Sequence, residues 1–307
     1  MNTQVTQSVM LDKFSYDLNL ENVYTGKGVV TLASMSVERP GLQLAGGFFN
    51  YYDARRIIVL GLAEYEYLRT FSSDARKAKI KSLFEHGELP CIILSRDLPA
   101  LPELIETAKE FSCPVFRSPK ITTDLMSDLY IYLNRLLAPS LTEHGVLMEI
   151  FGVGILLTGK SGVGKSETAM ELIKRGHRLI ADDNVIIKEI ANELYGTAPE
   201  IIRYFMELRG IGIINVKSMY GSGSVLDEKQ IQLIIELETW QQGKEYDRVG
   251  DEGSFSSYFG IKVPKLTIPV SPGRNLAIII EVAARNFRLK SMGYDASEEL
   301  ITRSIGR

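Results

Sequence analysis

The sequence has little of the residue types that mark several specialised classes of protein. Its 307 residues include two cysteines, three histidines and one tryptophan. Cys91 and Cys113 have no CxxC spacing, so nothing indicates a zinc site or a disulfide framework. No apolar run approaches the roughly 18 residues of a membrane span, and residues 1–14 have neither the basic nor the apolar region of a signal peptide. We therefore expect a cytoplasmic protein.

A strong charge of either sign is also missing. The formal net charge is -3 at pH 7, which gives no general attraction to nucleic acid or to anionic lipid. We therefore expect neither nucleic acid nor a membrane as a partner. The composition, 45% hydrophobic and 24% charged residues, is that of an ordinary globular protein, and the length allows two domains.

Two patterns of hydrophobicity divide the chain. In residues 1–130, the short apolar runs 56–61, 91–95 and 113–119 alternate with segments that have helical spacing of apolar residues. This alternation predicts an α/β domain with a parallel or mixed sheet, but no motif there indicates its role. An amphipathic helix around 122–136 is a candidate connector. Residues 131–307 are richer in strand-like runs, and we expect this part to be the catalytic domain.

A complete phosphate-loop motif lies near the middle of the chain. The segment GKSGVGKS fits G-x-x-x-x-G-K-[ST] and consists of Gly159, Lys160, Ser161, Gly162, Val163, Gly164, Lys165 and Ser166. An apolar strand at 154–158 precedes it and an amphipathic helix at 166–176 follows it, which is the context in which backbone N–H groups bind phosphate. Lys165 is expected to contact the β- and γ-phosphates and the Ser166 hydroxyl to bind Mg²⁺.

An acidic pair follows the next apolar run. Asp182 and Asp183 come directly after residues 179–181. A right-handed crossover places this strand beside or near the strand before the loop, with its carboxyl end at the phosphate edge. One carboxylate can bind Mg²⁺, and the other can accept a proton from an attacking hydroxyl. Repulsion between the two raises one pKa, but the sequence alone does not separate their roles.

Other motifs disfavour several classes of phosphate-loop protein. The segment DRVG at 247–250 matches the D-x-x-G of GTPases, but no N-K-x-D follows, and the chain has neither an LSGGQ-like stretch nor an arginine-rich lid. Three hypotheses stay open: a protein kinase, a small-molecule kinase and a nucleotide-sensing regulator without turnover. The acidic residues favour chemistry, and the missing lid favours a protein substrate.

The stretch MELRGIGIINV at 206–216 is the most specific signal. Together with GKSGVGKSET and LIADDNV it resembles the HPr kinase/phosphorylase family, over essentially the whole chain. The resemblance implies phosphorylation of a serine of the phosphocarrier protein HPr by ATP, with pyrophosphate as a second candidate donor. It also implies removal of that phosphate by inorganic phosphate to give pyrophosphate, and a role in carbon catabolite repression and sugar uptake. A homohexamer and a C-terminal domain similar to phosphoenolpyruvate carboxykinase are further implications.

The resemblance also assigns residues. It implies that Glu207 is a second Mg²⁺ ligand beside Ser166, and that the segment 269–274 serves dephosphorylation. Asp183 would accept a proton in one direction and donate it in the other. The implied catalytic residues are His144, Lys165, Asp183 and Arg248. Further family positions are Asp182, Met206, Arg209, Gly210, Asn215, Pro269, Ser271 and Arg274, of which Asn215 departs from the aspartate common in the family.

Overall fold

A computed structural model describes residues 6–241 and 254–305 of the chain. The chain forms two compact units, Met1–Ala138 and Pro139–Arg307. Each unit combines strands with helices, which confirms the predicted α/β class. None of the helices in the described ranges has both the length and the hydrophobicity needed to cross a membrane.

The first unit alternates short strands with helices. Its strands are β1 (Gln7–Met10), β2 (Glu21–Tyr24), β3 (Val29–Leu32), β4 (Val37–Glu38), β5 (Ile57–Leu60), β6 (Ile92–Leu94) and β7 (Val115–Arg117). Its helices are α1 (Leu11–Leu18), α2 (Gly41–Gly46), α3 (Leu62–Arg69), α4 (Ser73–Ser82), α5 (Pro102–Glu110) and α6 (Thr122–Leu136).

A mixed sheet forms the centre of this unit, in the order β2-β7-β6-β5-β4. Neighbours from β4 to β7 are parallel, and β2 is antiparallel to β7. Side chains alternate between the two faces: Ile57 packs in one core cluster and Ile58 in the other. Because both faces are buried, these strands are short, continuous apolar runs.

Helix α6 belongs to the first unit rather than connecting two parts. Its apolar stripe of Leu125, Leu129 and Leu133 is buried in the same cluster as Ile57 and Phe116. The unit therefore continues to Ala138, past the limit of 130 expected from the sequence. The helical periodicity showed the stripe but not the surface on which it packs.

The second unit is richer in strands. Its strands are β8 (Ser140–His144), β9 (Val146–Ile150), β10 (Val153–Gly159), β11 (Arg178–Ala181), β12 (Asn184–Ile190), β13 (Glu193–Thr197), β14 (Phe205–Leu208), β15 (Gly212–Asn215), β16 (Glu228–Gln230), β17 (Leu233–Thr239), β18 (Phe255–Tyr258) and β19 (Ile261–Val270). Its helices are α7 (Lys165–Lys174), α8 (Val216–Tyr220), α9 (Leu276–Ser291) and α10 (Ala296–Ile305).

A central mixed sheet of the second unit has the order β11-β9-β10-β17-β19-β18. Strands β10, β17 and β19 are parallel, so their carboxyl ends meet at one edge. Residues of α7 and α9 pack on one face, and a second sheet, β16-β13-β12-β8, packs on the other. Strand β11 runs parallel to β10 with β9 between them. The chain after α7 therefore returns near β10, the strand before the phosphate loop, as expected.

Candidate functional site

The phosphate loop lies between β10 and α7, as the motif predicts. Gly159 ends β10 with a φ of +134°, and a Cβ atom there would lie 2.3 Å from the backbone oxygen of Leu237 on β17. Only glycine allows this approach, because any side chain would collide with the neighbouring strand. The loop therefore leaves the sheet at a position fixed by β17, and its backbone leads into the amino end of α7.

Lys165 is buried at the start of α7. Its ammonium group donates hydrogen bonds to the backbone oxygens of Gly159, at 2.9 Å, and Lys160, at 3.3 Å. Burial lowers the pKa of Lys165, and the nearby carboxylates of Asp182 and Asp183 partly oppose that shift. The contacts hold a cation against the inside of the loop, where phosphate oxygens bind in proteins with this motif.

Asp182 contacts both helix α7, which follows the phosphate loop, and the segment 206–216. Its side chain is 6% exposed. Its Oδ1 accepts a hydrogen bond from the Ser166 hydroxyl at 2.9 Å, and its Oδ2 accepts one from the Glu207 N–H at 3.2 Å. Burial is the main reason that the pKa of Asp182 is raised, and the charge of Asp183 adds less. The sequence predicted a raised pKa in this pair from repulsion, whereas desolvation is the larger cause.

Asp183 stands apart from its neighbour because it faces solvent. Pairing of β8 with β12 sets His144 opposite Asn184, and this brings His144 Nδ1 to 3.0 Å from Asp183 Oδ1. The Asp183 side chain is 60% exposed, and Asn184 Nδ2 donates to its other oxygen at 2.7 Å. Its backbone has a φ of 68°, the left-handed region that aspartate tolerates better than most residues. The chain turn thus points one carboxylate inward and the next outward.

Strands β14 and β15 pair as an antiparallel two-stranded ribbon beside the loop. Arg209, in the turn of this ribbon, lies against the loop at Gly162: a Cβ atom there would be 3.1 Å from Nη1 and 3.2 Å from Nη2 of Arg209. A guanidinium group in this position adds a second cation to the phosphate loop. The conformation of the loop at Gly162, with a φ of +83°, leaves room for it.

Half of the predicted site residues line one cavity of about 180 Å³, which we call the loop pocket. Its walls come from the loop, the acidic pair, the ribbon and the end of β8. The lining residues are His144, Ser161, Gly162, Gly164, Lys165, Ser166, Glu167, Asp182, Asp183, Glu207 and Arg209. Of these, only Glu167 was not selected from the sequence, although its place in the first turn of α7 was a usable signal.

Four other predicted residues lie next to the pocket in the loop and the ribbon but do not line it. Val163 packs against the core of the second unit, and the Lys160 carbonyl accepts the Val163 N–H at 3.2 Å. Met206 is fully buried in the same core. Gly210 is in the ribbon turn with a φ of 81°.

Asn215 is the cap of a short helix. Its Oδ1 accepts the Ser218 N–H at 2.9 Å at the start of α8. Asparagine and aspartate are both good caps, so the departure from the family pattern preserves this contact.

The segment 269–274 does not line the loop pocket. It comprises the last two residues of β19 and the turn after them, two strands from β10, at the same edge of the sheet as the loop. Arg274 Nη1 donates to the Pro269 backbone oxygen at 3.2 Å. The backbone N–H of Arg274 donates to the Ser271 backbone oxygen, also at 3.2 Å. Arg248 lies outside the described residues.

The oxygen atoms of the loop pocket match what a hard cation requires. Mg²⁺ is usually bound by one or two carboxylates together with phosphate oxygens and water. Ser166 and Glu207 supply a hydroxyl and a carboxylate, and Asp182 contacts both residues. Within residues 6–241 and 254–305, no three His, Cys, Asp or Glu side chains form a group that could hold a metal ion. The donor set fits a cation that is bound jointly with a phosphate ligand.

The strand, glycine loop, buried lysine and helix define the P-loop class of phosphate-binding proteins. Comparison with known proteins then identifies the family. Residues 5–133 match the family model described as HPr Serine kinase N terminus, and residues 135–304 match the HPr Serine kinase C-terminal domain. The chain belongs to the HPr serine kinase family.

Relatives match the chain over nearly its full length. The HPr kinase/phosphorylase of Alkaliphilus metalliredigens is 48% identical over 295 residues, which is 95% of each chain. That of Bacillus licheniformis is 50% identical over 296 residues, 96% of this chain and 93% of the relative. A solved structure of the Hpr(Ser) kinase/phosphatase from Coxiella burnetii is 36% identical, with a TM-score of 0.48, and covers 52% of this chain and 98% of that one.

Proposed function

We propose that this chain transfers the γ-phosphoryl group of ATP to a serine of HPr and also removes it. The family match over both units carries this proposal. The loop pocket supports it, because a phosphate loop and a solvent-facing carboxylate lie in one cavity. We assign catalysis to the second unit, Pro139–Arg307, which contains the loop pocket.

Binding of the phosphates rests on the loop. Its backbone N–H groups and the amino end of α7 bind oxyanions, and Lys165 neutralises charge on the group that is transferred. Arg209 adds a cation from the ribbon side. Mg²⁺ is held by Ser166 and Glu207 when bound, and it neutralises charge on the phosphate oxygens.

Asp182 and Asp183 have different roles because one side chain is buried and the other is exposed. Asp183 faces solvent, so a serine hydroxyl of a protein can reach it and give up its proton as the oxygen attacks. His144 orients that carboxylate from 3.0 Å. Asp182 is engaged by Ser166 and by the Glu207 N–H, so it positions these two residues rather than accepting the proton.

The reverse reaction uses the same pocket. An oxygen of inorganic phosphate attacks the phosphorus of phosphoserine, the bond to the serine oxygen breaks, and Asp183 returns a proton to that oxygen. The products are serine and pyrophosphate. The loop supports this direction because it recognises oxyanions without requiring adenine. By the same reasoning pyrophosphate serves as a second phosphoryl donor.

Three further properties rest on the resemblance to the family. Arg248, in the D-R-x-G stretch, contributes a cation to catalysis. The chain assembles as a homohexamer. It acts in the cytoplasm, in the control of sugar uptake and carbon catabolite repression.

One assay tests the proposal. Purified chain, HPr and ATP labelled in the γ-phosphate are incubated with Mg²⁺, and phosphoserine is measured. Inorganic phosphate is then added, and the released product is identified. We expect phosphorylated HPr in the first step and pyrophosphate in the second. Free orthophosphate as the main product would show hydrolysis and overturn the phosphorolysis.

Other substrates distinguish the alternatives. Transfer to small hydroxyl compounds but not to HPr would identify a small-molecule kinase. Nucleotide binding with no transfer to any acceptor would identify a sensor.

A further inference from the structure

The ribbon of β14 and β15 presents one face to the core and the other to solvent. Met206 and Leu208 are buried in the core of the second unit. Phe205 and Glu207 alternate with them and are exposed. This is the alternation of a strand that is covered on one side only. The outward face of the ribbon therefore belongs to the surface around the loop pocket.

The register of the ribbon places isoleucine beside the pocket. Ile213 pairs directly with Glu207, so the two side chains share the outward face. Side chains paired in this way have Cβ atoms about 4.5–5.5 Å apart. Ile213 is 74% exposed, and Ile211 in the turn is 73% exposed. Two large aliphatic side chains thus lie next to Glu207 and Arg209, which line the loop pocket.

The backbone holds these side chains in place. Ile213 is within the ladder of the ribbon, and the N–H of Ile211 donates to the Leu208 oxygen at 3.0 Å to close the turn. A partner would therefore meet apolar side chains on a backbone that is hydrogen-bonded before binding, which lowers the entropic cost of ordering the backbone on association. Exposed aliphatic groups concentrated at the rim of a polar pocket mark a place of contact.

We propose that Ile211 and Ile213 contact apolar side chains next to the target serine of the protein substrate. This inference rests on the proposed function. The acceptor hydroxyl must reach Asp183, so the surface that surrounds the serine covers the rim of the loop pocket. The ribbon forms part of this rim through Glu207 and Arg209. Phosphate and pyrophosphate have no apolar surface to offer, whereas the surface of a protein does.

Threonine substitutions test the contact. Thr replaces aliphatic surface with a hydroxyl and is β-branched like Ile, so it keeps the strand preference of the ribbon. For Ile211→Thr/Ile213→Thr we expect KM for HPr to rise by about tenfold or more, with little change in kcat. The affinities for ATP and for pyrophosphate should change by less than about twofold, because those ligands bind on the loop.

A matched control is available at Ile201. This side chain is 92% exposed, on a 3-10 turn (Glu200–Ile202), and none of the three residues of that turn is among those that line the loop pocket. Ile201→Thr should leave KM for HPr at the wild-type value. Far-UV circular dichroism and melting temperature show whether each variant is folded, and Ile211→Val/Ile213→Val should keep most of the affinity if apolar contact is what matters.

The outcomes separate this contact from the activity itself. If wild-type protein does not phosphorylate HPr, the proposed function fails. If it does, but the double variant keeps the wild-type KM for HPr, only the ribbon contact is overturned. Loss of ATP affinity in the double variant would assign the isoleucines to the nucleotide instead. A change in oligomeric state by light scattering would assign them to a second copy of the chain.

Discussion

The Ser166 hydroxyl donates a hydrogen bond of 2.9 Å to Oδ1 of the buried Asp182. The other oxygen of that carboxylate holds the Glu207 N–H at 3.2 Å. One aspartate therefore sets the distance between the start of α7 and the ribbon, the two elements that provide the proposed ligands of Mg²⁺. Substitutions in this group of residues test different parts of the mechanism.

Asp183→Asn should abolish both reactions. The amide cannot accept the serine proton or return it, so we expect the rate in each direction to fall by about 100-fold or more. Transfer to HPr and release of pyrophosphate are measured in parallel, and nucleotide affinity reports an intact loop. Because Asp183 is exposed, the variant should fold normally. A variant that retains either reaction near the wild-type rate would exclude Asp183 as the shared acid and base.

Glu207→Gln should weaken the binding of magnesium without unfolding the protein. The side chain is exposed at the pocket, so we expect the melting temperature to change by less than about 2 °C. Loss of one carboxylate ligand should raise the Mg²⁺ concentration for half-maximal activity by about tenfold. A magnesium titration that overlays the wild type would show that Glu207 has no part in binding the metal.

Asp182 should make stability depend on pH in a specific direction. Burial raises its pKa above the ordinary value of 3.8, so the folded chain holds that proton more tightly than the unfolded chain. The contribution of Asp182 to the free energy of unfolding therefore falls as the pH rises from 3.8 through its raised pKa.

Urea unfolding of the wild type and of Asp182→Asn at a series of pH values measures this contribution. The Asn variant does not titrate at this position, so the stability of the wild type relative to the variant should decline over that interval. Parallel stability curves for the two proteins would show that burial of this carboxyl group does not shift its titration.

Arg274→Ala should affect the two directions unequally. Arg274 lies at the sheet edge of the loop but outside the loop pocket, so we place it near phosphate carried by the protein rather than near the nucleotide. We expect dephosphorylation to fall by about tenfold and kinase activity by less than about twofold. Equal losses in both directions would remove the directional role of the segment 269–274.

The loop could be predicted because its determinants are local. Gly159 to Ser166 form one continuous motif, and the strand and helix that flank it have their own periodicity. The family resemblance named Glu207, but its position opposite Ile213 follows from the register of the ribbon. That pairing depends on where the turn falls, which no spacing of residue types specifies.

The sequence does not show that the two adjacent aspartates differ in exposure. Asp182 is 6% exposed, whereas the side chain of Asp183 is 60% exposed. The difference arises from the packing of β11 and from the left-handed backbone of Asp183, and neither property is visible in the sequence. The same limit applied to α6, whose stripe was recognised although its place in the first unit was not.

The cap at Asn215 makes one corner of the ribbon tolerant of acid. Its amide oxygen accepts the Ser218 N–H and carries no proton to gain. An aspartate at this position would lose its charge below about pH 4 and with it much of its attraction for the amino end of α8. The hydrogen bond that returns β15 into α8 is therefore independent of the protonation of residue 215, whereas that of a carboxylate would weaken in acid.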